Sequence, residues 1–122
     1  MATGDIILKL KTGPILVDSE EGRDLIFRKL YILHETFYPK PIHFKLDCYT
    51  DENSHQYDNS SYDPGTKGET KHLRLFEYGF PQPLIGKNLI FREISAKKDW
   101  VEGIKEIRVL AEVRRRAGIP QT

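Results

Sequence analysis

The sequence contains a single cysteine, Cys48, in 122 residues. No intrachain disulfide can form, and a metal site built on clustered cysteines is excluded. An unpaired thiol fits a reducing compartment, so a cytoplasmic location is expected. No apolar run approaches the roughly 20 residues of a membrane helix. The start, Met1-Ala2-Thr3-Gly4-Asp5, lacks the charged and apolar regions of a signal peptide. A membrane partner is therefore not expected. Charge of one sign is also missing. The 19 basic residues are set against 18 acidic ones, so any affinity for nucleic acid must come from a local patch. There is no Walker loop, dinucleotide fingerprint, G-x-S-x-G elbow or zinc spacing. The glycines are dispersed and form no phosphate cradle, and no cofactor is expected.

What is present reads as a globular chain. Apolar residues make up 39% and charged residues 30%, too apolar for a disordered chain. The length fits one domain spanning 1–122. Asp5 to Lys11 alternates, with Ile6, Leu8 and Leu10 on one face, and predicts a half-buried strand. Thr12-Gly13-Pro14 breaks it. Ile15 to Val17 predicts a second short strand, placed as the return of a hairpin. Asp18 and Glu21 have capping-box spacing. Ile26, Leu30, Leu33 and Phe37 follow at helical spacing, flanked by Phe27, Tyr31, His34 and Tyr38. This pattern predicts a helix that ends at Pro39 and Pro41.

Ile42 to Thr50 alternates most clearly, with Ile42, Phe44, Leu46 and Cys48 facing one way. A polar stretch at 51–68 reads as one long loop. Thr70 to Tyr78 predicts a strand with Leu73 and Leu75 on one face, and Gly79 to Pro83 a turn. Asn88 to Ile94 predicts a further strand. From Ser95 the reading favours a last helix over 96–117, with Trp100, Ile104, Ile107 and Ala111 as its apolar stripe. The alternation of Ile107, Val109, Ala111 and Val113 supports a rival, a helix ending near Gly103 followed by a strand. The expected fold is α+β, in the order ββαβββα. It has an antiparallel or mixed sheet of about five strands, with two helices packed on one face.

Four groups of residues are candidates for function. Arg114, Arg115 and Arg116, with Arg108 upstream, could hold an anion or nucleic acid through bidentate guanidinium contacts. The bland account is a solvated, dipole-matched helix end. Tyr57 and Tyr62 in the polar stretch, with Tyr31 and Tyr38 on the helix stripe, suit protein recognition, because a rigid ring buries area at low entropic cost. A tyrosine-bearing connection with no partner explains them equally well. Asp47, Glu69 and Lys71 have the residue types of a metal-dependent nuclease, but Glu-x-Lys is common by chance. His34, His43, His55 and His72 show no ligand spacing. His43 and His72 could meet across strands, although surface histidines are the ordinary reading. Cys48 falls on an apolar face and reads as an inert thiol. The leading expectation is a non-enzymatic protein-interaction or assembly subunit with a protein partner or self-association. A nucleic-acid-binding domain using the basic C-terminal segment is the alternative, and the nuclease ranks last.

Overall fold

The computed structural model describes the backbone of residues 3–10, 16–18, 23–97 and 99–115 and the side chains of 24–97 and 99–113. Among these residues there is no helix. Eight strands run in order: β1 (Thr3–Leu10), β2 (Leu16–Asp18), β3 (Arg23–Thr36), β4 (Lys45–Tyr49), β5 (Ser54–Tyr57), β6 (His72–Gly86), β7 (Asn88–Ser95) and β8 (Gly103–Arg115). They form two antiparallel sheets, β1-β8-β3-β6 and β2-β7-β4-β5. In each sheet three strands are described with their side chains, and β1 or β2 completes it at the edge by backbone pairing.

The pairings are nested. The first strand pairs with the last, the second with the seventh, the third with the sixth, and the fourth with the fifth. This is a long antiparallel ribbon folded at β4–β5 and rolled up. The roll then adds the β3–β8 and β4–β7 ladders. An eight-stranded double sheet wound this way has the jelly-roll topology. Rolling distributes the inward side chains of both sheets into one apolar cluster. Phe27, Leu30 and Ile32 of β3 and Val109 of β8 meet Leu46 and Cys48 of β4 and Leu89 of β7.

The α+β expectation is therefore corrected to an all-β fold, with eight strands in place of about five. The predicted helix after Asp18 is β3. From Leu30 the buried positions alternate as Leu30, Ile32, His34 and Thr36, and continue to Tyr38 just past the strand. Two of these five are polar, so the period of two is hidden and the remaining apolar residues fall at helical spacing. A register shift between Phe27 and Lys29 moves the phase again. Phe27, Tyr31, Ile32 and Thr36 are also strand formers. The predicted helix over 96–117 is replaced by β8 from Gly103, where Ile107, Val109 and Ala111 are buried in alternation. The rival reading placed this strand but kept a helix before Gly103, and residues 96–97 and 99–102 form none.

The loop assigned to 51–68 contains β5, a four-residue edge strand of polar residues. The turn expected at Gly79–Pro83 lies within β6, where Lys29 pairs with Gly79 and Phe27 with Leu84. The four residues 80–83 bulge opposite Arg28, which places both prolines where no ladder bond is needed. β2 does not return against β1 but pairs with β7 in the other sheet.

The chain changes sheet between β6 and β7 over Lys87 alone. This corner rests on the β4–β5 turn. Thr50 Oγ1 donates to the Ile85 carbonyl at 2.7 Å, and Lys87 N donates to Asp51 Oδ1 at 2.9 Å. A Cβ on Gly86 would collide with Asp51 Oδ1 and lie 2.8 Å from Thr50 Cβ, so the close approach requires glycine. Asp63-Pro64-Gly65 is a turn as the sequence predicts. Gly65 has φ +93° and donates to Asp63 Oδ1 at 2.9 Å.

Candidate functional site

The outer face of the first sheet carries what the core does not absorb. Side chains directly opposite in an antiparallel ladder share a face. Tyr31 on β3 stands opposite Arg108 of β8 and Glu77 of β6, and Leu33 opposite Glu106 and Leu75. Leu73 is 63% exposed and Leu75 49% exposed, and among the described residues these are the exposed large hydrophobic side chains. Tyr31, Leu75, Arg108 and Leu110 line a shallow depression of about 210 Å³. Around this apolar strip runs a belt of ion pairs: Lys29–Glu77 at 3.0 Å, Lys105–Glu35 at 2.8 Å, Arg108–Glu106 at 2.8 Å and Arg28–Glu112 at 2.9 Å. Lys71 stands 3.8 Å from Glu35. The Lys105 hydrogen bond holds the Glu35 carboxyl below its usual pKa, and the Glu77 hydrogen bond holds the Lys29 ammonium above its own. Both stay charged at neutral pH.

The predicted tyrosines separate. Tyr31 and Arg108 lie together on this face. Tyr38 is buried; its hydroxyl donates to Asp99 Oδ2 at 2.9 Å, the main cause of its raised pKa, and its ring meets Trp100 edge-on. Tyr57 and Tyr62 are packed into an aromatic seam between β5 and β6. The Tyr57 hydroxyl bonds His43 Nδ1 at 2.7 Å, and its ring lies 4.7 Å from that of Tyr78. Tyr62 stacks on His43 at 4.0 Å and donates to the Pro41 carbonyl. Tyr78 in turn bonds His55 Nε2. Burial pushes these tyrosine hydroxyls up and the two histidines down, so the seam is neutral. Its groups satisfy one another.

Arg114 and Arg115 end β8, where Arg114 pairs in register with Thr3 and Asp24, so a helix end no longer explains the run. Arg116 lies outside the described residues. The nuclease constellation is not brought together. Asp47 faces out from the second sheet, 3.7 Å from Arg92, while Lys71 reaches Glu35 on the first. Among the described residues no three of His, Cys, Asp and Glu gather as a metal site. His43 lies before β4, outside the strands, and does not pair with His72 of β6 across a ladder. Burial pushes the Cys48 thiol up to about 12, with Asp47 adding to the shift, so it is not a nucleophile at neutral pH. No helix among the described residues is long and apolar enough to cross a membrane.

The residues that sequence reasoning missed are Leu33, Leu73, Leu75, Glu77 and Leu110. The signal was in β6 itself. His72 to Phe80 places Leu73 and Leu75 at odd positions and Phe76, Tyr78 and Phe80 at even ones, so the strand has apolar residues on both faces. The even positions face the core and the leucines face out. Compared with protein-family models, curated proteins and solved structures, the chain has no match.

Proposed function

We propose that the chain is a non-enzymatic interaction or assembly subunit that docks through the outer face of its first sheet. Leu73 and Leu75, exposed side by side on an edge strand, carry this reading. A jelly roll hosts many activities, so topology lends no support to any one of them. The surface supplies the argument. Burying a leucine side chain completely is worth about 1.5–3 kcal/mol, and the adjoining Tyr31 and Leu110 extend the apolar area. The surrounding ion pairs form a polar rim of the kind that borders protein interfaces. Nothing in the aromatic seam competes with this reading, because its polar groups are already paired.

A photo-crosslinking residue placed at position 75 tests it, with position 56 as the control on the exposed edge of the second sheet. The reading expects a discrete covalent adduct from position 75 in expressing cells, none from position 56, and loss of the adduct when Leu73→Lys is added. Absence of any adduct at position 75 contradicts it.

A further inference from the structure

We infer that the partner of this face is a second copy of the same chain, joined antiparallel along β6 about a two-fold axis at Arg74. This rests on the docking reading above and names its occupant.

β6 is the edge of the first sheet. Among the described residues it pairs only with β3, and it meets β5 through side chains. Its second half is protected from further pairing by the bulge and by Pro81 and Pro83. The first half, His72 to Gly79, has no such protection and carries the exposed leucines. An edge without bulge or proline that exposes two leucines is a template for another strand.

The charges select the strand. The rim mixes Lys29, Lys71 and Lys105 with Glu35 and Glu77, all partnered within the copy. A strongly acidic or basic partner would set like charges against half of them. A two-fold contact needs a self-complementary patch, and a mixed rim provides one.

Register follows from the same residues. An axis between two residues would set outward side chains against inward ones, against the pleat. An axis at Leu75 would oppose Leu73 to Glu77. An axis at Leu73 would oppose Lys71 to Leu75 and Glu69 to Glu77. With Arg74 at the axis, Leu73 of each copy lies opposite Leu75 of the other, and Lys71 opposite Glu77. The Leu73–Leu75 pairs are then apolar with apolar and the Lys71–Glu77 pairs cation with anion, while Glu69 meets only Gly79. The Arg74 guanidinium at the axis is turned away, donating to the Pro39 carbonyl of its own copy at 2.7 Å.

The test uses chains with one introduced cysteine each. Cys48 is buried and, with its thiol held up to about 12, does not compete. Residues directly opposite in a ladder lie within the Cα range that a disulfide spans. Mixed under mild oxidation, differently tagged Leu73→Cys and Leu75→Cys chains should give a disulfide-linked heterodimer, at least tenfold above either chain alone. Light scattering on the unmodified chain should give a mass tending to twice 14.2 kDa as concentration rises. A mass of 14.2 kDa at all concentrations, or linkage no better in the mixture than in the single chains, overturns the inference. The two readings fail separately. A position-75 adduct to a different protein, with a monomeric chain, removes self-pairing and leaves the docking surface. No adduct at position 75 removes both.

Discussion

His34 is the residue whose environment departs furthest from its chemistry. It is fully buried on β3, with Nδ1 on the Ile32 carbonyl at 3.0 Å, Phe44 edge-on at 5.0 Å, and Nε2 without a hydrogen-bond partner. Burial lowers its pKa, the Ile32 carbonyl offsets part of this, and the Arg74 charge lowers it further. Below the ordinary histidine value near 6.5, the unfolded chain takes up a proton that the folded chain refuses. Stability is then full above about pH 6.5 and falls with pH until the folded value is passed, by up to about 1.4 kcal/mol per pH unit per histidine. His43 and His55 act in the same direction. Urea midpoints measured between pH 8 and pH 5 should show this loss, and His34→Asn should reduce it, leaving the part due to His43 and His55; an unchanged slope in that variant would refute the assignment. The glycines give a paired prediction. Gly86→Ala should cost about 1–3 kcal/mol because the new methyl meets the Thr50–Asp51 turn, whereas a methyl at Gly79 meets nothing within 4 Å. Gly79→Ala should therefore shift the thermal midpoint far less, and equal effects would mean that the corner is not held as described.

At the scale of elements, legibility depended on how cleanly apolar residues alternate. β4 was legible because Leu46 and Cys48, continuing the alternation of Ile42 and Phe44 just before the strand, are apolar and buried like them. β3 was not, because His34 and Thr36 occupy inward positions, and the Thr36 hydroxyl is satisfied by a partner distant in sequence. Thr36 Oγ1 donates to the Trp100 carbonyl and accepts from Tyr38 N at 3.1 Å. No local pattern announces a contact to Trp100. β5 was illegible for the opposite reason: Ser54, His55, Gln56 and Tyr57 have no apolar alternation, and the ladder with β4 alone makes them a strand. β3 sits between β8 and β6 and is the strand on which the first sheet depends. Leu30→Ala at its centre should cost about 2–5 kcal/mol in chemical denaturation, and a loss well under 1 kcal/mol would place Leu30 outside the core. The far-ultraviolet circular dichroism of the intact chain should lack the helical double minimum; a helical spectrum would contradict β3 and β8 together.

For the whole molecule, strand content was partly visible in the sequence but strand order was not. Nested pairing of first with last and second with seventh is set by how the ribbon rolls, and the hydrophobic period carries no record of it. The candidate surface was half legible. Tyr31 and Arg108 were singled out separately, and only the β3–β8 register sets them side by side. Leu73 and Leu75 were placed on one face, but whether that face points to core or solvent depends on which sheet lies beneath β6. The same topology leaves the first half of β6 as an unpaired edge with two exposed leucines, and the account turns on that edge being covered when the protein works. Amide hydrogen exchange across His72–Gly79, read at micromolar and at millimolar chain concentration, tests this most directly. The account predicts that the amides facing away from β3 exchange freely when dilute and become protected at high concentration, while those bonded to β3 are protected throughout. Free exchange of the outward amides at both concentrations would contradict it.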